Sequence, residues 1–301
     1  MRVTQAKATG MASPRQDARL GIAWVLVAMF LFIGLDSTAK ALTDYMPPAQ
    51  VVWARYTFHA LILVFLLRGG VGTRLRTTRW RMHLFRAALL AAMTMLYFSA
   101  LAFIPLADAT AILFLTPILA TALSVPVLRE RVGPRRWASI GVAFVGALII
   151  LRPGSGTMEL AALLALAAAL VNAGYHLTTR MLGVTEDVMT TLLYPALVGT
   201  ALATIALPFV WTPVPLPIWG AMALLGGIGA ISQYCLVKGL THASPATIAP
   251  FHYTSLIWAT LFGFVLFGEL PDGWTALGAV LIVGAGLYIF QRERVLARSS
   301  R

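Results

Sequence analysis

The chain alternates long apolar runs with short polar breaks. Ten runs stand out, at about 20–42, 49–67, 84–104, 107–128, 137–151, 160–179, 189–208, 218–237, 246–267 and 274–290. Each is apolar throughout rather than at alternate positions, which excludes barrel strands with one face to lipid and one to water. Most hold about 20 residues, enough at 1.5 Å per residue to cross a hydrocarbon core. The fifth and tenth runs are shorter, and flanking arginines reach the surface along their own stems. A segment in hydrocarbon must satisfy its backbone hydrogen bonds internally, so the ten runs are helices. The predicted fold class is all-α integral membrane.

Composition agrees. Hydrophobic residues make up 59% of the 301 and charged residues 11%, against about a quarter charged in a soluble protein. The net charge of +12 raises nucleic acid as a partner. The basic residues, however, lie in the short polar breaks and form no basic groove. With the N-terminus on the cytoplasmic side, 19 of the 23 Lys and Arg fall in cytoplasmic segments, Arg152 alone falls outside, and Lys40, Arg55 and Arg86 lie within spans. This bias predicts both termini in the cytoplasm. Residues 1–19 are polar and precede a run too long for a signal-peptide core, so they read as a disordered cytoplasmic tail. Cys235 is the single cysteine and reads as a small buried residue.

The runs repeat. Shifted by 139 residues, Leu101 falls on Leu240, Ala107 on Ala246, Thr121 on Thr260 and Glu130 on Glu269. Shifted by 140, Gly34 falls on Gly174, Thr38 on Thr178 and Lys40 on Arg180. A constant offset across several helices marks an internal duplication. The units are 20–151 and 157–290, flanked by tails 1–19 and 291–301. Five spans per unit is an odd number, so the second unit enters the membrane from the opposite side. Two inverted five-helix repeats are an architecture of secondary transporters.

Two stretches carry a family likeness: YFSALAFIPLADATAILFLTPIL at 97–119, and APFHYTSLIWATLFGFVLFGELPDGWTALGAVLIVGAGLYI at 249–289, with its FGE at Phe267–Glu269. The chain from Gly21 to Phe290 resembles the EamA-type transporters of the drug/metabolite transporter superfamily. In the first repeat Arg129-Glu130 stands where a Gly-Glu is usual. The resemblance implies a ten-helix inner-membrane permease for small organic metabolites, most often outward.

Charges within spans are costly, roughly 2.5–3.5 kcal/mol each on insertion scales, and point to function. Asp36 and Lys40 are spaced i, i+4 on one face of the first helix. They read either as a cavity site for substrate or protons, or as a structural pair near the outer surface. Their repeat mates are His176 and Arg180; Arg180 reads as a positive-inside anchor. Arg55 lies about two turns inside the second helix with His59 a turn further on. It either binds a substrate carboxylate or pairs with Asp36 or Asp44. Arg86 reads as a snorkelling anchor. Tyr97, Tyr175, Tyr234, Tyr253, Asn172, Gln233 and His252 supply the few polar groups that a mostly apolar cavity needs, and each tyrosine serves equally as a packing residue. Small residues at Ala87, Ala88, Ala91 and Ala92, matched at Gly226, Gly227, Gly229 and Ala230, predict the third and eighth helices as central and packed backbone to backbone. Pro117, Pro195 and Pro250 predict kinks.

No hydrolase, nucleotide-binding or metal motif is present, so the chain reads as a non-enzyme without a cofactor. The partners are a small-molecule solute and membrane lipid, with no nucleic acid; a homodimer is compatible with this reading. The cation excess in and beside the spans favours a carboxylate-bearing solute, such as an amino acid, its derivative or an opine-type metallophore, most simply exported. Asp36 or His176 is placed to couple protons. Import or exchange of riboflavin or S-adenosylmethionine-like solutes, and a non-transporting membrane protein, stand as alternatives.

Overall fold

The computed structural model describes residues 18–129, 133–152, 157–182, 188–243 and 245–299. Tail residues 1–17, Glu130 and Arg131 lie outside the described residues. Ten helices are long and apolar enough to cross a membrane: α1 (Ala18–Thr43), α2 (Pro48–Leu67), α3 (Trp80–Leu101), α4 (Leu106–Leu128), α5 (Pro134–Leu151), α6 (Leu160–Leu182), α7 (Val188–Phe209), α8 (Leu216–His242), α9 (Thr247–Phe267) and α10 (Gly273–Arg292). The tenth helix runs on to Ser299, beyond its apolar run. Among the described residues no strand is assigned. An even number of spans puts both ends of the chain on one face of the bundle. The opposite face is called distal below.

Packing obeys the duplication. Helix α1 lies on α8 as α3 lies on α6; α2 lies on α8 as α7 lies on α3; α1 touches α9 as α6 touches α4. The self-mated pairs are α2 with α7, α4 with α9 and α5 with α10. Exchanging each helix with the one five places on reproduces these principal contacts, though not weaker ones such as α1 with α3 and α5 with α6, in keeping with an inverted repeat.

The expectation for α3 and α8 needs correcting. Helix α3 packs on α6 and α7, α8 packs on α1 and α2, and no interface joins α3 to α8 among the described residues. The small residues serve other neighbours. A Cβ at Gly226 would meet the α2 backbone, 2.8 Å from His59 N and 2.9 Å from the Phe58 carbonyl carbon. Helices α5 and α10 cross at Gly146 and Gly278, where a Cβ on either would press the other's carbonyl oxygen at 2.8 or 2.5 Å. Without a hydrophobic driving force between helices in lipid, such close approach supplies the packing energy.

The two repeats end their fourth helices alike. Arg129 caps α4 at φ 56° and Gly268 caps α9 at φ 69°. A left-handed cap suits glycine and costs a β-carbon residue roughly 1 kcal/mol. The arginine of the first repeat therefore carries a strain that the second repeat avoids.

Asp272 starts α10. Its Oδ1 accepts the backbone N–H of Thr275 at 2.9 Å and an N–H of Arg152. The Arg152 guanidinium, followed by that capping bond, holds the carboxyl down at about 2. A depressed carboxylate stabilises the fold fully above its unfolded value near 4 and loses that contribution as pH falls through 2. Asp272→Ala should thus cost about 1 kcal/mol, as loss of a cap does. Thermal unfolding should show the same deficit at pH 6 and pH 8, and a shrinking deficit below about pH 4. A deficit that changes between pH 6 and 8 would rule out this assignment.

Candidate functional site

Two spans are broken at mated positions. Helix α4 consists of Leu106–Leu113 and Thr116–Leu128, and α9 consists of Pro245–His252 and Thr254–Phe267. In α4 the cause is Pro117, which has no N–H to return to Leu113. The turn tightens instead, with Phe114 N on Ala111 O and Leu115 N on Ile112 O. In α9 the hydroxyls of Thr254 and Ser255 take the carbonyls of Phe251 and His252 at 2.6 and 2.8 Å, competing with the helical ladder. The breaks meet, since the rings of Phe114 and Tyr253 lie edge to face at 4.9 Å. The pseudo-two-fold passes between them. Pro195, by contrast, lies inside an unbroken helix.

Polar side chains gather on both sides of this point. In the distal half, Tyr97 donates to Asp36 Oδ2 at 3.4 Å and shares a contact with Thr110 at 3.4 Å. Arg55 is 8% exposed. It donates from Nη1 to Thr94 Oγ1 at 2.6 Å, and its guanidinium lies over the rings of Tyr56 and Phe98 at 5.2 and 5.5 Å. Thr94 is itself fixed by Tyr56 at 2.8 Å and by Leu90 O at 2.8 Å. Arg55 acts on Asp36 through space but makes no ion pair with it or with Asp44. Arg55 Nε and His59 Nε2 are buried without a partner.

On the other side of the breaks, Arg86 is 1% exposed, so it is not a snorkelling anchor. It donates to Tyr175 Oη at 3.1 Å and to Thr191 O at 2.8 Å, with its guanidinium 5.2 Å from the Tyr175 ring. These partners place it on the face of α3 toward α6 and α7, a neighbourhood that sequence spacing alone does not reveal. His176 stands edge to face with Tyr175 at 5.5 Å. Asn172 donates to Thr116 Oγ1 at 3.3 Å, beside the α4 break.

Asp36, His176 and His252 share a further property. None is fully buried: His176 is exposed and the other two are half-buried. Of the other sequence candidates, Gln233 is half-buried on α8. Tyr234 lies instead beside Trp24, 6.3 Å away and edge to face, with Lys238 over its ring at 5.7 Å.

Lys40 does not pair with Asp36. Its ammonium sits 2.8 Å from Glu269 Oε1 and donates to Ile104 O at 2.7 Å. Glu269 Oε2 accepts the N–H of Leu106 at 3.3 Å. One ion pair thus ties the end of α1 to the α3–α4 turn and the α9–α10 turn, across the distal mouth. Glu269 was visible in sequence as the acid of the FGE at Phe267–Glu269, matched by Glu130 in the first repeat, and Arg86 as a charge within a span. Nothing in the spacing indicated their partners.

The chain matches the model of the EamA-like transporter family twice, over residues 19–152 and 159–291. It is 31% identical to a riboflavin transporter of Vibrio cholerae, over 93% of this chain and 96% of that one. It is 28% identical to the pseudopaline exporter CntI of Pseudomonas aeruginosa, over 91% and 97%. It is 28% identical to an S-adenosylmethionine uptake transporter of Rickettsia bellii, over 91% and 94%. A solved crystal structure shares the fold at a TM-score of 0.61 and 23% identity, covering 91% of this chain and 96% of its own.

Proposed function

We propose, from the premise that this chain belongs to the EamA-like transporter family, that it is a secondary carrier exporting a carboxylate-bearing metabolite of amino-acid type. Its family and relatives move small molecules and are not enzymes. The chain is a multi-pass membrane transporter. The finer reading places both termini in the cytoplasm of a bacterial inner membrane, makes the distal face external, and has access alternate between the two mouths.

The observation that carries the substrate class is Arg55. A guanidinium buried in mid-span, held by a threonine hydroxyl and two ring faces and lacking a carboxylate partner, is charged and under-satisfied. A solute carboxylate supplies what it lacks, through charge-assisted and often bidentate bonds. Asp36, 3.4 Å from Tyr97, suits the amino group of the same solute. His59, Tyr97, Asn172, Tyr175, His176, Gln233, His252 and Tyr253 are offered as its further polar contacts. The pseudopaline exporter favours an opine-type metallophore among such solutes.

A second reading is a flat heteroaromatic solute. It is favoured by the riboflavin-transporting relative and by the ring pair Phe114–Tyr253 at the breaks.

Paired metabolite profiling inside and outside cells, with and without the gene, identifies the solute. Counterflow in proteoliposomes then compares it with its amide. Saturable exchange of the acid, with the amide at least tenfold poorer in kcat/KM, is expected from one lost charge-assisted interaction. Equal handling of acid and amide overturns the carboxylate reading.

A further inference from the structure

We infer that Arg86 makes the cytoplasmic half of the pathway selective for anions, acting through Tyr175, whose phenolic hydrogen meets the solute. The inference rests on the proposed pathway and deepens it with a second station, separate from Arg55. Of the chain's acidic residues, Asp36 and Asp108 alone lie within the ten spans, and both are in the distal half. Among the described residues no acidic side chain pairs with Arg86. Its visible partners are neutral: Tyr175, Thr179 at 3.5 Å and the Thr191 carbonyl. Arg86 Nε has no partner among the described residues.

A buried charge held only by dipoles keeps a strong field, because little around it screens the field. On the proposed pathway that field reaches the space beside His176, which is exposed and one ring away from Arg86. Tyr175 joins the two. Its oxygen accepts from Arg86 Nη1, so its own O–H remains to be donated, and it finds no acceptor among the described residues. A phenol polarised by a guanidinium behind it is a strengthened donor toward an anion in front. For an exporter this is the loading position, reached first from the cytoplasm; Arg55 lies beyond the broken helices. Arg86 is a positioning residue, since 1% exposure leaves it no direct contact with the space.

The test needs no knowledge of the natural solute. In a Cys235→Ala chain, His176→Cys reports on the space beside Tyr175. Inside-out vesicles are treated with an anionic sulfonatoethyl or a cationic trimethylammonium-ethyl methanethiosulfonate. With Arg86 present the anionic reagent should be favoured roughly tenfold over the ratio shown by a free thiol. Arg86→Gln should abolish the preference and Arg86→Lys should retain it. Sodium benzoate, as the probe carboxylate, should slow labelling severalfold, and Tyr175→Phe should weaken that protection. No charge preference with Arg86 present, or one that survives in Arg86→Gln, overturns the inference. Undiminished protection in Tyr175→Phe removes the tyrosine from it. A purely structural tie between α3, α6 and α7 would change stability without changing the reagent ratio. Loss of the carboxylate reading in counterflow leaves the reagent ratio untouched, so the two failures are distinguishable.

Discussion

Replacing Lys40 with methionine should open the distal mouth. Lys40 reaches both turns there, pairing with Glu269 at 2.8 Å and donating to Ile104 O at 2.7 Å. Methionine keeps the apolar stem near the Phe267 ring, which the ammonium approaches at 5.3 Å, and removes the charge together with the bond to Ile104 O. Glu269 is then left partly buried with a single backbone N–H, from Leu106. Stranding one partner of a buried pair costs 3–5 kcal/mol; here 12% and 28% side-chain exposure lets water recover part of it, leaving about 2 kcal/mol. That is roughly a thirtyfold shift toward the distally open state. A Thr110→Cys reporter in the Cys235→Ala background should therefore be labelled by an impermeant maleimide roughly thirtyfold faster from the distal side. The exchanged pair Lys40→Glu with Glu269→Lys should restore slow labelling. Labelling unaffected by Lys40→Met would show that the ion pair does not hold this mouth shut. The repeat gives the closure a sequence mate, Arg180 with Glu130, at the opposite face; Glu130 lies outside the described residues.

The architecture could be read from sequence because lipid leaves few alternatives. Ten continuous apolar runs have one way to satisfy their backbones, and the boundaries fell within about five residues of the helix ends. The constant offset translated directly into mated contacts, such as α1 on α8 and α3 on α6. The site was less accessible to such reasoning, because helical periodicity says which residues share a face but not which neighbour that face meets. Lys40 and Asp36 do share a face of α1, yet Lys40 reaches a glutamate more than two hundred residues away in sequence. Arg86, a few residues from the end of its span, had the position of an interfacial anchor. Its partners on α6 and α7 turn it inward instead. On α8, Gly226 marks close approach but not its direction, because it is matched to the α2 backbone and not to α3.

Arg55→Gln should cut transport of the acidic solute by roughly thirty- to a hundredfold in kcat/KM. Arg55 is held from behind: Thr94 fixes Nη1, and Tyr56 and Phe98 lie against its planar faces. The edge that carries Nε is left without a partner. A carboxylate arriving there gains a charge-assisted bond and escapes the cost of being desolvated alone, together worth about 2–3 kcal/mol. Glutamine fills part of the volume but offers a neutral amide. Lysine restores charge without the fork, so Arg55→Lys should fall between the two. Thr94→Val separates support from chemistry. It removes the hydroxyl and leaves the charge, and it should cost severalfold rather than a hundredfold. The discriminating measurement is counterflow of the acid and of its amide in each variant. If Arg55 meets the solute, Gln should suppress acid transport and leave the poor amide rate unchanged, because the amide never used the guanidinium. If Arg55 only braces α2 against α3, both solutes should decline together, and the placement of the carboxylate at Arg55 would have to be abandoned.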